Sequence, residues 1–229
     1  MSYNFKLVLL VRFFGHLIFI SGIFSLIYLA GPFIYAEGRY SLDQLLDVKR
    51  TVPKVITSDT NDTKDSNIPT SFADLPPIEN AIVPISTQYG IVIEKINANA
   101  KINPGIDPAN EQEYTQALTK GVAEAKGSTR PGEKGNLYLF SHSTDGPWNI
   151  VRFNAIFYLL NKLEAGDKIL IFYQNRRYDY IVFDKVVAKP TDISFLTNRY
   201  DEPILTLQTC DPPGTLFNRL IVRAKLAGG

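Results

Sequence analysis

Residues 204–226, ILTLQTCDPPGTLFNRLIVRAKL, carry the only cysteine of the 229-residue chain. Two apolar-rich runs, 204–209 and 219–226, flank a connection rich in Pro and Gly, and each alternates with the period of two expected of a strand. In the first run Leu205 and Leu207 share one face, and Thr206, Gln208 and Cys210 share the other. In the second, Leu220, Val222, Ala224 and Leu226 form one face, and Arg219, Ile221, Arg223 and Lys225 form the opposite one. If the runs pair antiparallel through residues 211–218, the end of the first lies beside the start of the second. Arg219 is then the basic residue nearest Cys210, and Arg223 lies about 13 Å further along. The usual lone cysteine is a small buried hydrophobe, but here the alternation puts Cys210 on the polar face.

Working outward, short strand-like runs recur at 90–97, 100–106, 136–141, 168–174 and 177–187, the last two forming a hairpin around residues 174–176. Residues 111–123 and 152–163 have helical character. Strands dominate without regular βαβ alternation, so a mostly β fold built as a closed or nearly closed barrel is expected.

Nearer the N-terminus, residues 11–37, VRFFGHLIFISGIFSLIYLAGPFIYAE, hold no charged side chain between Arg12 and Glu37. About two dozen helical residues cover the ~30 Å hydrocarbon core of a bilayer. The run is longer than a signal peptide's, and Ile34 stands where a cleavage site needs a small residue, so an uncleaved anchor is expected. His16, at one end of this span, reads as incidental. Residues 38–49 have near-helical apolar spacing, suggesting a short amphipathic helix beside the membrane. Residues 50–80 are rich in Thr, Asp, Asn, Ser and Pro and read as a linker, ~30 Å in root-mean-square span if flexible. The expected organisation is an N-terminal tail over 1–12, a transmembrane anchor over 13–36, a juxtamembrane segment and linker over 37–81, and a β-barrel domain over 82–229.

Basic and acidic residues nearly balance, 24 against 23, which gives no general attraction for nucleic acid. A thiol is a weak nucleophile at its free pKa near ~8.5 and needs a base or a cationic neighbour. Outside the span the only histidine is His142, at the end of the 136–141 strand.

Together these residues resemble the sortases, membrane-anchored cysteine transpeptidases. Residues 206–210 read TLQTC, the family's TLxTC, and Arg219 opens the closing strand. Residues 119–142, TKGVAEAKGSTRPGEKGNLYLFSH, resemble the family's PGxxGN segment ahead of its histidine, and 186–196 contain KPTD. The likeness runs from about Gly90 to Leu226. Two departures are Ser141, where the family commonly has Gly, and the short Pro-rich connection 211–218.

The resemblance implies an eight-stranded barrel in which Cys210 attacks the Thr carbonyl of an LPxTG-like sorting signal. The resulting thioester is resolved by an amine from a lipid-linked cell-wall precursor or a pilin Lys. It makes His142 the acid and base, and Arg219 the group that stabilises the oxyanion or holds the substrate backbone. Thr209 and Ser141 become candidate substrate contacts. Trp148 and Phe153 either wall the groove or pack under the connection after His142. The family's orientation puts the catalytic domain outside the cell membrane. No cofactor is expected; Glu94, Asp107 and Glu111 are the candidates for a calcium site such as some family members have, but scattered carboxylates without an EF-hand pattern read as solvated. Papain-type enzymes place Cys before His, and L,D-transpeptidases expect a His-Gly-Cys cluster; neither fits. The remaining alternative is a membrane-tethered β-barrel that binds peptide without turning it over.

Overall fold

The computed structural model of the chain describes residues 3–53, 80–143 and 156–228. Eight strands close into a barrel: β1 (Tyr89–Ile93), β2 (Ala98–Ile106), β3 (Val122–Ala125), β4 (Gly135–Phe140), β5 (Lys168–Tyr173), β6 (Arg176–Ala188), β7 (Pro203–Asp211) and β8 (Asn218–Leu226). Their order around the barrel is β1-β2-β3-β4-β7-β8-β6-β5. All neighbouring pairs are antiparallel except β2/β3 and β4/β7, which are parallel.

Alternation decides what fills the barrel. Ile91, Ile93, Leu137, Leu139, Ile169, Ile171, Leu205, Leu207, Leu220 and Val222 are buried together in one core, each such side chain contributing about 1.5–3 kcal/mol on leaving water. Shifting either strand of the β7/β8 pair by one residue would expel its whole apolar set, so the register is strongly specified. The β5/β6 hairpin turns at Gln174 and Asn175, whose φ values are 50° and 62°. Two successive positive φ angles give the mirror-image turn whose twist matches that of the strands.

The face of β4 that points away from the barrel is covered in turn. Tyr138 and Phe140 pack with Ala117 and Leu118 of α2 (Glu111–Leu118) and with Phe195 of α3 (Ser194–Thr197). In the family-like segment 131–136, Gly132 has φ 84° and a Cβ there would stand 2.7 Å from the Tyr178 ring. Gly135, at φ 125°, presses on Thr129, where a Cβ would come within 2.5 Å. Both positions require glycine for conformation and for space. The segment is thus a tight corner that launches β4.

The N-terminal helix α1 runs unbroken over Tyr3–Leu45, so residues 38–45 continue it and do not form a separate helix. Its stretch long and apolar enough to cross a membrane is Lys6–Tyr28, which begins and ends earlier than the 13–36 expected from the charge-free interval. Of the segment expected to be a linker, 37–53 is helical or packed. Arg50 clasps Asp43 through two bonds of 2.5 and 2.8 Å, Thr51 bridges to Ala81, and Val52 is buried with Ile82, Val92, Leu170 and Phe172.

Candidate active site

Cys210 and Arg219 are direct cross-strand partners in the antiparallel β7/β8 ladder. Leu205, Leu207 and Thr209 point into the barrel, so Cys210 lies on the outer face, where it is half-buried. The Arg219 guanidinium donates from Nη1 to Cys210 Sγ at 3.6 Å and to the Asn218 carbonyl at 3.2 Å.

His142 is brought towards this pair by the parallel pairing of β4 with β7, whose last matched residues are Phe140 and Gln208. The Ser141 amide donates to the Gln208 carbonyl at 3.1 Å, and Thr209 Oγ1 donates to the Ser141 carbonyl at 2.9 Å. His142 follows Ser141 just past the end of β4, half-buried between the buried Ser141 and Ser143, at the end of the barrel where β7 carries Cys210. The ends of β4, β7 and β8 are neighbours in the barrel, and of the three residues they lead to, Cys210 and Arg219 are directly paired.

Side-chain bonds lock the two parallel strands that carry the thiol and the imidazole. Thr206 Oγ1 donates to Asn136 Oδ1 at 2.8 Å, the Tyr138 hydroxyl donates to Gln208 Oε1, and Thr209 closes the set at Ser141. Asn136 also donates to the Phe195 carbonyl at 2.9 Å, tying α3 to the same seam. Asp192, in the stretch 189–192, accepts from the Ser194 amide at 3.0 Å and so fixes the entry into α3. Sequence reading missed Asn136, Tyr138 and Gln208. Their signal was present as polar side chains in phase on two strands, but the pairing of those strands was not.

The two arginines of β8 divide their work. Arg223 is held by Asp184 at 2.5 and 2.9 Å, reaches the Tyr200 hydroxyl at 3.4 Å, and lies over the Phe183 and Phe195 rings at 5.2 and 5.6 Å. It is a structural rivet. Arg219, by contrast, directs its donors at the sulfur end of the hairpin.

Burial pushes the Cys210 thiol above its ordinary value, and the Arg219 charge pulls it partway back. Tyr138, also buried, has its hydroxyl pKa raised by that burial; Arg219 opposes the shift. Thr209 is only 4% exposed and Ser141 5%, so the side chains proposed from sequence as peptide contacts are packed inside, where Thr209 aligns the strands. Trp148 and Phe153 lie outside the described residues. Glu94 accepts from the Val52 amide at 2.7 Å, Asp107 from the Ala109 amide at 2.9 Å, and Glu111 opens α2. Among the described residues no three His, Cys, Asp or Glu side chains cluster.

A half-buried thiol paired with a guanidinium, at the end of the barrel to which β4 leads an imidazole, is equipment for nucleophilic acyl transfer. Residues 91–227 match the sortase domain, and the chain belongs to the sortase family of transpeptidases. Among solved structures it is similar to the Clostridium perfringens sortase D5 transpeptidase, with 28% identity and TM-score 0.50 over 62% of this chain and 79% of that one. Sortase C-1 of Actinomyces oris shares 27% identity at TM-score 0.52, over 63% and 76% of the two chains. A lid mutant of Corynebacterium diphtheriae sortase A shares 28% at 0.51, over 63% and 72%. No curated protein sequence matches the chain.

Proposed function

We propose that this transpeptidase cleaves an LPxTG-like sorting signal after its Thr and transfers the acyl part to an amine. His142 takes the proton of the Cys210 thiol as Sγ attacks the Thr carbonyl carbon, and Arg219 steadies the oxyanion with its fixed fork of donors. The C–N bond to the next residue breaks as His142 gives its proton to the departing amine, leaving a thioester on Cys210. An incoming amine attacks the thioester carbonyl and loses a proton to His142, and the Cys210 thiolate departs. This sequence needs no cofactor.

The reading is carried by the pairing of Cys210 with Arg219 on the outer face of the barrel. Leu216 and Phe217, 73% and 74% exposed in the β7–β8 connection, offer apolar surface near that pair for a substrate's Leu and Pro. The acceptor is a lipid-linked peptidoglycan precursor or a pilin Lys, and the donors are surface proteins bearing the signal at their C-termini. α1 anchors the protein in the cell membrane through Lys6–Tyr28, with the residues before that span in the cytoplasm and the catalytic domain, from residue 82 onward, outside.

The test is mass spectrometry of the protein incubated with an LPxTG-containing peptide, with and without an amine acceptor. Expected are a thioester adduct on Cys210, release of the C-terminal fragment and an amine-linked product. Turnover retained by Cys210→Ala, or binding without cleavage by the native chain, would overturn the proposal.

A further inference from the structure

Every residue of α1 from Lys6 to Tyr28 is exposed, but from Ala30 onward the helix carries half-buried residues, Ala30 and Gly31 first and then the stripe Phe33, Ala36, Glu37, Tyr40 and Asp43. That spacing is one face of a helix. Ile34, Tyr35, Arg39 and Leu42, on the other faces, are exposed. The stripe meets the segment that leads into β5. The Phe33 ring lies 5.5 Å from Tyr158, Glu37 pairs with Lys162 at 3.0 Å, Lys162 also sits over the Tyr40 ring at 5.5 Å, and Tyr40 packs against the barrel core. Asp43 then clasps Arg50, beside Thr51 and Val52, which are themselves built into the barrel.

We propose that the second half of α1 is a rigid strut that holds the barrel against the lipid headgroups, with the edge formed by residues 156–163 facing the bilayer. The proposal rests on the reading that Lys6–Tyr28 spans a membrane. Five residues separate Tyr28 from Phe33, about 7.5 Å along a helix, and the headgroup layer on one side of a bilayer is itself roughly 5–7 Å thick. The first contact between helix and barrel therefore falls at the outer margin of the headgroups. A flexible tether of about 30 residues would let the domain wander on the order of 30 Å. Here the contacts extend from Phe33 to Tyr40, about 10 Å along the helix, with Asp43 then held through Arg50, so the barrel cannot swing about one point. A sorting signal in the same membrane then meets the site at a fixed height.

The test uses the full chain in lipid vesicles. In a Cys210→Ala background, Phe33→Cys with Tyr158→Cys is treated with a short bismaleimide, and linked peptides are read by mass spectrometry. An intramolecular link is expected, weakened by Glu37→Lys and restored when Lys162→Glu is added. Two thiols that both react with a monofunctional maleimide but never link would overturn the strut. A bimane on Tyr158→Cys, in the same background, should be quenched by lipids carrying a nitroxide on the headgroup; unquenched emission would overturn the placement at the surface. Extraction by alkaline carbonate would refute the membrane span separately, because the cross-link reports docking whether or not the helix spans.

Discussion

Thr209 donates its hydroxyl proton to the Ser141 carbonyl at 2.9 Å, joining the residue before the thiol to the residue before the imidazole. The bond is buried and lies on the barrel side of the two strands, opposite the face that carries Cys210. Losing it removes a register pin without touching either reacting group.

Thr209→Val should therefore lower kcat about tenfold, with a stability loss of about 1–3 kcal/mol from the carbonyl left without its partner. Thr209→Ser should recover most of both. Steady-state kinetics and denaturant titration of the two variants check this; Val and Ser behaving alike would show that the bond is not a positioning contact.

Arg219→Lys should cut kcat on the order of 10²-fold with little change in melting temperature, because a point charge does not reproduce a planar fork aimed at one oxygen. Arg223→Lys should do the reverse. It loosens the grip on Asp184 and the stacking on Phe183 and Phe195, costing about 1–2 kcal/mol while leaving the chemical step near normal. Finding the larger kinetic loss in Arg223→Lys would reassign the arginines.

The Cys210 thiol should titrate above the ordinary ~8.5, since burial raises it more than Arg219 lowers it. Alkylation by iodoacetamide should therefore speed up as pH rises through the alkaline range. Arg219→Gln removes the charge that opposes the rise and should move the midpoint higher still. A midpoint below neutral in the native chain, or a downward move in the variant, contradicts this account of the site.

Glu124, on β3, accepts a hydrogen bond from the buried Tyr89 hydroxyl. Burial raises its pKa, and the bonds from Tyr89 and the Gly105 backbone only partly offset that shift. Because the folded value exceeds the unfolded one, the stability Glu124 contributes is complete below the unfolded pKa and is lost as pH rises through the folded pKa. Glu124→Gln keeps an acceptor for Tyr89 without the charge. Its melting temperature should match the native chain's below about pH 4 and exceed it at neutral pH. A gap that stays constant across pH would mean the carboxylate is not the source.

Within residues 204–226 the local signals were complete. Alternation placed Leu205 and Leu207 inside and Cys210 outside, and the eight-residue connection allowed only one neighbour for the new strand. Arg219 followed opposite Cys210 from register alone. The β5/β6 hairpin was legible for the same reason, though its turn is Gln174 and Asn175, with Arg176 already in the strand. Thr209 also had its inward phase in the sequence, which is why a peptide contact there was a poor fit.

What the sequence determined by itself was short-range: strand phases, the barrel class, one apolar helix, and the three chemical groups of the family. Tertiary structure alone decided how distant pieces meet. The parallel docking of β4 on β7 joins residues 68 positions apart, as Phe140 and Gln208 show, and no local pattern encodes a partner at that distance. Hydropathy likewise marks where α1 stops being apolar, but not that the helix continues to Leu45 and lays one stripe on the barrel. Backbone propensity and burial act on neighbouring residues, whereas pairing and docking are settled only when the closed sheet supplies the facing surface.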